Sequence, residues 1–428
     1  MSLQPLGETC MPPHTDRDPA TIERVSANSP HRLGGYPASF RVGFRIVRNL
    51  AWGSLLVHMP DGRSFLFGTA EPNTDEARGI VWVNDANFMA RVFSRGGIGF
   101  AEGFMEDAWN TPDLEAVTQV VSRNVDLFSA THGGSRLRRW AFNLLHLLAR
   151  NSKAGSRRNI AYHYDLGNDF YSAWLDPSMT YSSARYGKDD ESLEAAQANK
   201  YASLADLLTL EPEHHVLEIG CGWGGFAEYA AREIGCQVTG ITISQEQHDF
   251  AVARIKRAGL EDKVTIKFCD YRDIEGQFDR VASIEMFEAV GEQYWPTFFD
   301  KIDQVLKAGG KAGLQIITVP DKLFQHYKAH TDFIQKYIFP GGMLPSPGAL
   351  RDNVSKAGLQ WLDSVAFRHD YARTLLTWHE RFLTAWPRLE PMGFDERFKR
   401  MWQFYLCSCA ASFRSGNADV IQVSLAKA

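Results

Sequence analysis

Residues 216–226 read VLEIGCGWGGF, an apolar run that ends on a carboxylate, Glu218, and opens into four glycines, Gly220, Gly222, Gly224 and Gly225. This is the pattern of a buried strand, a tight turn and the start of a helix. Upstream, AAQANKYASLADLLTL (195–210) has helical spacing. Downstream, helix and strand patterns alternate: GFAEYAARE (225–233), QVTGI (237–241), SQEQHDFAVARIKRA (244–258), VTIKFC (264–269), RVASIEM (280–286), a helix near YWPTFFDKIDQVL (294–306) and KAGLQIITV (311–319). Such alternation predicts an α/β fold with a mostly parallel sheet covered on both faces and a ligand at the carboxyl ends of the strands. Beyond residue 320 the chain is rich in aromatics and helical in parts, as in RTLLTWHERFLTAW (373–386).

The N-terminal third reads differently. Residues 1–30 are polar and Pro-rich and predict a flexible tail. In LLVHMPDGRSFLFG (55–68), Pro60, Asp61 and Gly62 predict a turn between two strands, and the segments to residue 128 mix glycine breaks with helical periodicity. A small α+β domain over 31–150 is expected, followed by the α/β domain over 151–428. The stretch SRLRRWAFNLLHLLAR (135–150) carries an apolar stripe with arginines at both ends. It suits a helix docked on a core, or a basic amphipathic element meeting an anionic membrane surface. The polar NSKAGSRRN (151–159) reads as a linker.

Composition narrows the class. In 428 residues with 44% apolar content there is no uninterrupted apolar run of spanning length, and the first twenty residues lack a secretory core. A cytoplasmic protein, peripheral at the inner face of a membrane, is expected. The net charge of −5 gives no general attraction to nucleic acid, and the six cysteines are too irregularly spaced for a zinc site or a disulfide framework. Self-association as a homodimer is left open.

Gly220, Gly222 and Gly225 match the G-x-G-x-x-G fingerprint of dinucleotide sites. About twenty residues on, however, GITISQ offers Thr242 where such a site wants a ribose-binding acid. Glu218 at the strand tip would repel a pyrophosphate and suits a cation. S-Adenosylmethionine carries an ammonium and a sulfonium, has no phosphate and needs close backbone approach, which glycines permit. The bland alternative is a glycine-rich turn with no ligand.

Taken together, HYDLGNDFYSAWLDPSMTYSSARY (163–186), VLEIGCGWGGF, GITISQEQ (240–247), DYRD (270–273), MFEAVG (286–291), KYIFPGG (336–342), WHERFLTAWP (378–387) and FKRMWQFYLCSCAASF (398–413) resemble the cyclopropane fatty acyl phospholipid synthase family. The resemblance covers roughly residues 160 to 415. It implies a seven-stranded, Rossmann-like methyltransferase sheet and transfer of a methyl group to a cis double bond inside a phospholipid acyl chain. It also implies cofactor contacts from Tyr181, Ser182, Glu218, Gly220, Cys221, Gly222, Gly224, Gly225, Thr242, Gln247, Asp270 and Tyr271.

An isolated alkene has no proton to lose before attack, so a site for it must align the methyl and tolerate a carbocation. Aromatic faces can shield that cation, and Tyr164, Phe170, Tyr171, Trp174, Tyr181, Phe287, Tyr337 and Trp378 are available, with core packing the ordinary role of each. Ring closure in the family uses a bicarbonate held by a cysteine, a glutamate, a histidine, an isoleucine and a tyrosine. The matching positions here are Ser183, Glu288, Gln315, Ile317 and His379, so three of the five differ and the bicarbonate is doubtful. Without it a base must take a proton from the chain, leaving a methyl-branched alkene; His379 and Glu288 are candidates. Cys409 matches a cysteine suspected of catalysis in the family and fits a packed helix equally well. Cyclopropane synthesis stays the alternative product. A small-molecule methyltransferase and a non-catalytic lipid-binding module are the rivals.

Overall fold

The computed structural model describes residues 22–25, 33–68, 76–129 and 166–427. These form two compact units, one on each side of the interval 130–165. The basic stretch 135–150, the linker that follows it and Tyr164 therefore lie outside the described residues, as does most of the expected tail. Within the expected tail, β1 (Ile22–Arg24) pairs in parallel with the strand Ser64–Gly68.

In the first unit, β2 (Ser54–His58) and β3 (Ser64–Gly68) form the hairpin that Pro60, Asp61 and Gly62 predict, with Gly62 in the left-handed region at φ +91°. With β4 (Arg78–Val83) and β5 (Trp109–Asn110) they make a mixed sheet in the order β1-β3-β2-β4-β5. Helices α1 (Ala38–Val47), α2 (Phe88–Arg95), α3 (Gly97–Met105) and α4 (Leu114–Arg123) complete the α+β unit.

The second unit is built on seven strands: β6 (His215–Ile219), β7 (Gln237–Thr242), β8 (Val264–Phe268), β9 (Phe278–Ile284), β10 (Leu306–Thr318), β11 (Leu359–Ala366) and β12 (Asp419–Lys427). Their order is β11-β12-β10-β9-β6-β7-β8, parallel from β10 through β8, with β12 antiparallel to both its neighbours. Val216, Leu217 and Ile219 of β6 are buried, as a strand covered on both faces requires. From β6 the chain moves to β7 on one side and later returns as β9 on the other, so the strand order reverses between β6 and β9. Crevices for ligands open at the carboxyl ends of strands at such a point. The two ends are tied there by the Ser283 hydroxyl, which donates to the Ile219 carbonyl at 2.8 Å.

Five helices matter for the site. Helix α5 (Asn168–Ser172) leads into the loop that carries Tyr181 to Ser183, and α6 (Leu193–Leu208), N-capped by Ser192, packs against β10 and β12. Helix α7 (Gly225–Tyr229) follows the glycine loop. Two long helices, α8 (Arg368–Leu389) and α9 (Glu396–Ser415), pack on each other and supply most of the buried aromatics.

Candidate active site

The glycine loop is tight against protein on one side and open on the other. Gly220, Gly222 and Gly224 all have positive φ (+81°, +52°, +82°), where a side chain would be strained. A Cβ on Gly220 would meet Met286 Cγ at 2.6 Å, and one on Gly225 the Tyr201 hydroxyl at 2.4 Å, whereas one on Gly222 would meet nothing within 4 Å. The backbone amides of Gly220 and Cys221 hold the loop by donating to the Ile241 carbonyl. Cys221 turns its side chain towards β7, where its Cβ lies 3.0 Å from the place of a Cβ on Gly240; burial keeps the thiol protonated. Its side chain packs against β7.

Glu218 lies 3% exposed at the end of β6. It accepts one bond from the Ala227 amide, and its Oε2 is buried with no hydrogen-bond partner. Burial pushes its carboxyl up to about 8, against the pull of Lys200. An unpartnered buried carboxylate oxygen beside a cradle of bare backbone fits S-adenosylmethionine, whose positive charge would complete it. Thr242 and Gln247 share a 2.8 Å hydrogen bond in the turn that Ser244 caps. Tyr271 is buried, and both oxygens of Asp270 are engaged by the Arg272 guanidinium at 2.7–2.8 Å.

Behind the loop lies a residue that sequence reasoning did not single out. Lys200 is fully buried in α6, its ammonium donating to the Ser182 hydroxyl at 2.7 Å. Burial pushes it down to about 7, while Glu285, Asp176 and Glu218 pull it up.

Two of the three altered ring-closing positions, Ser183 through its backbone and Gln315 through its side chain, meet at a carboxylate that sequence reasoning also missed. Ser183 and Gln315 both turn to Glu285: the Ser183 amide donates to Oε1 at 2.8 Å and Gln315 Nε2 to the same oxygen at 2.7 Å. The Tyr371 hydroxyl, from α8, donates to Oε2 at 2.6 Å. Glu285 stands just past the end of β9 with φ +49°, a left-handed conformation that costs a non-glycine residue about 1–2 kcal/mol. Such strain persists where the surroundings over-determine it, as three donors do here. Burial raises its carboxyl, opposed by these donors and by Lys200. The two retained positions form a second pair: the Ile317 amide donates to Glu288 Oε1 at 2.6 Å, and Glu288 Oε2 is buried without a partner. Burial and the neighbouring Glu285 push Glu288 up to about 8.

His379 is half-buried on α8, next to Trp378; the hydrogen bond this helix sends to Glu285 comes from Tyr371. The Cys409 thiol is pushed far up by burial, which suits packing and not proton abstraction. Of the aromatics, Tyr181 has its ring 5.3 Å from Trp378, 5.6 Å from Trp174 and 5.5 Å from Tyr171, and its hydroxyl bonds Tyr405 at 2.8 Å. These rings form one cluster with Tyr181 at its centre. Phe287 instead packs among Trp295, Phe298 and Phe299 in the core, Phe170 contacts both Trp174 and Phe398, and Tyr337 lies tilted against Phe333.

Known proteins resemble this chain over most of its length. Residues 151–423 match the mycolic acid cyclopropane synthetase family model. The tuberculostearic acid methyltransferase UfaA1 of Mycobacterium tuberculosis is 38% identical over 91% of this chain and 91% of its own. The cyclopropane-fatty-acyl-phospholipid synthase of Escherichia coli K12 is 39% identical over 80% of this chain and 86% of its own. Among solved structures, the mycolic acid cyclopropane synthase CmaA1 complexed with SAH and CTAB aligns over 63% of this chain and 98% of its own, at TM-score 0.60 and 29% identity.

Proposed function

Because the chain belongs to the mycolic acid cyclopropane synthetase family and is an S-adenosylmethionine-dependent methyltransferase, we propose that it methylates the cis double bond of unsaturated phospholipid acyl chains and releases a methyl-branched alkene. The surroundings of Glu285 support this reading more than any other observation: the Gln315 side chain and the Ser183 backbone amide, at two of the five positions expected to hold a small anion, bond a carboxylate of the chain itself. The glycine loop and Glu218 would hold the cofactor, which supplies an electrophilic methyl group. Tyr181, Trp174 and Trp378 exclude water and face the positive charge that develops on the acyl chain. Glu285 stabilises that charge through space and then accepts a proton from the chain carbon beside it. The C–H electron pair becomes the new double bond. Oε2, with a single donor, keeps a lone pair for that proton.

Glu288 is the weaker candidate. Two close buried carboxyls do not both ionise, and the three donors mark Glu285 as the anion while Glu288 keeps its proton near neutral pH. Work on bilayer lipids calls for contact with a membrane surface. Among the described residues no helix is long and apolar enough to cross one; the basic stretch 136–158, outside those residues, supplies charge for peripheral binding.

The test uses S-adenosylmethionine with a fully deuterated methyl and vesicles of cis-unsaturated phospholipid, with mass analysis of the acyl product. Three deuteriums retained on an unsaturated, branched chain is the expected result. Two retained, with a ring formed, would put the proton loss on the new methyl and overturn the role given to Glu285. Unlabelled lipid would overturn the substrate.

A further inference from the structure

Gln315 is held in one orientation. Its Nε2 donates to the Ser183 carbonyl at 3.3 Å as well as to Glu285, so its Oε1 is the acceptor end, and Gln422 Nε2 donates to it at 3.0 Å. Gln422 sits directly across the β10–β12 pairing from Gln315. It is oriented the same way, because its Nε2 also donates to the Lys200 carbonyl at 3.1 Å. Its Oε1 accepts from the Ser203 hydroxyl at 2.5 Å, and Ser203 accepts from the Arg185 guanidinium. Arg185 and Ser203 line an open cleft with Asn199, Asp206 and Asp363. Gln315 and Gln422 are 1% and 0% exposed, so two full amide groups are buried mid-sheet with each one bonded onward.

We propose that Arg185, Ser203, Gln422 and Gln315 form a polarised hydrogen-bond chain that holds Glu285 in place and ionised, with Ser203 and Gln422 as positioning residues. The inference rests on Glu285 being the base. Four bonds run in one sense, from a guanidinium at the cleft to a carboxylate in the pocket. Each donor turns its positive end towards Glu285, and aligned bonds of this kind strengthen one another. A proton on Glu285 Oε1 would confront the Gln315 N–H and break the alignment. The chain is an electrostatic support and not a proton path, since an amide passes a proton only by giving up its stable tautomer. The other ionisable groups around Glu285 are Lys200, which acts with the chain, Glu288, which opposes it, and Tyr371, which donates directly.

The test is kcat against pH for the full-length protein with S-adenosylmethionine and cis-unsaturated phospholipid vesicles, comparing Ser203→Ala, Ser203→Thr and Gln422→Met with the parent. Weakening the chain makes Glu285 harder to ionise. The acid limb of Ser203→Ala and Gln422→Met is therefore expected to move up by about half a pH unit, with the KM for S-adenosylmethionine unchanged. Ser203→Thr, which restores the hydroxyl, is expected to return the limb. Profiles that superimpose on the parent, or that fall evenly at every pH, would overturn the chain's role. Glu285→Gln separates the two readings: parental turnover in that variant would show that Glu285 is not the base, whatever Ser203→Ala does.

Discussion

The two buried carboxylates on either side of Lys200 are furnished in opposite ways. Glu218, at the cofactor end, has one backbone donor and one oxygen with nothing to bond. Glu285, at the pocket end, has a backbone amide, a side-chain amide and a phenol. An incomplete site waits for its partner to arrive from outside; a complete one is ready to act on whatever is placed before it. The proposed reading gives ligand binding to the first and proton transfer to the second, with Lys200 coupled electrostatically to both.

Removing the acid from the complete site tests the contrast most severely. Glu285→Gln is expected to slow methylation of phospholipid vesicles by about 10²–10⁴-fold while the Kd for S-adenosylmethionine, read by calorimetry, stays within about twofold. An equal loss in affinity would erase the distinction between the two ends.

The incomplete site yields the next effect. Glu218→Gln is expected to weaken S-adenosylmethionine about 10–100-fold, the cost of a charge-assisted bond. The sign of its pH dependence follows from a free-state value of about 8: below it Glu218 carries a proton that a cationic ligand must displace. Affinity is expected to rise as pH approaches 8 and then level off, with proton release from Glu218 that disappears in Glu218→Gln. Calorimetry in buffers of different ionisation enthalpy reads this directly.

The mildest perturbation sharpens the picture of the pocket end. Tyr371→Phe removes one donor of three, and turnover is expected to fall about tenfold or less, with the acid limb of the pH profile displaced upward. A loss as large as that of Glu285→Gln would make Tyr371, rather than the carboxylate, the centre of the site.

Much of the α/β unit could be read from local pattern because its strands are short apolar runs between helices. HVLEI is β6 residue for residue, and α6 departs by two residues from the predicted 195–210 at each end. The two C-terminal strands were invisible to the same reasoning. β12 carries Gln422 and Ser424 into the buried sheet, and β11 has mixed polarity along its length, so neither looks like a core strand until its neighbours are known. Glu218 and its glycines are contiguous in sequence and could be recognised as a site. Glu285 could not, because its donors come from residues 183, 315 and 371 and no spacing in the chain announces their meeting. Its one local signal was a second acid three residues before Glu288 in SIEMFE. Lys200 reads as an ordinary solvated position in AAQANKYASLADLL; only the fold surrounds it with Ser182 and three carboxylates.

Met286 stands between the two pocket acids and presses its Cβ and Cγ against the bare face of Gly220. Any residue at 286 that branches at Cβ, or carries a ring there, would lift the loop that receives the cofactor. The glycine loop is thus seated by the slender side chain between the two acids. An exchange of either acid can therefore alter the chemistry of the site and leave that seat as it is, whereas a bulkier side chain at 286 disturbs it first.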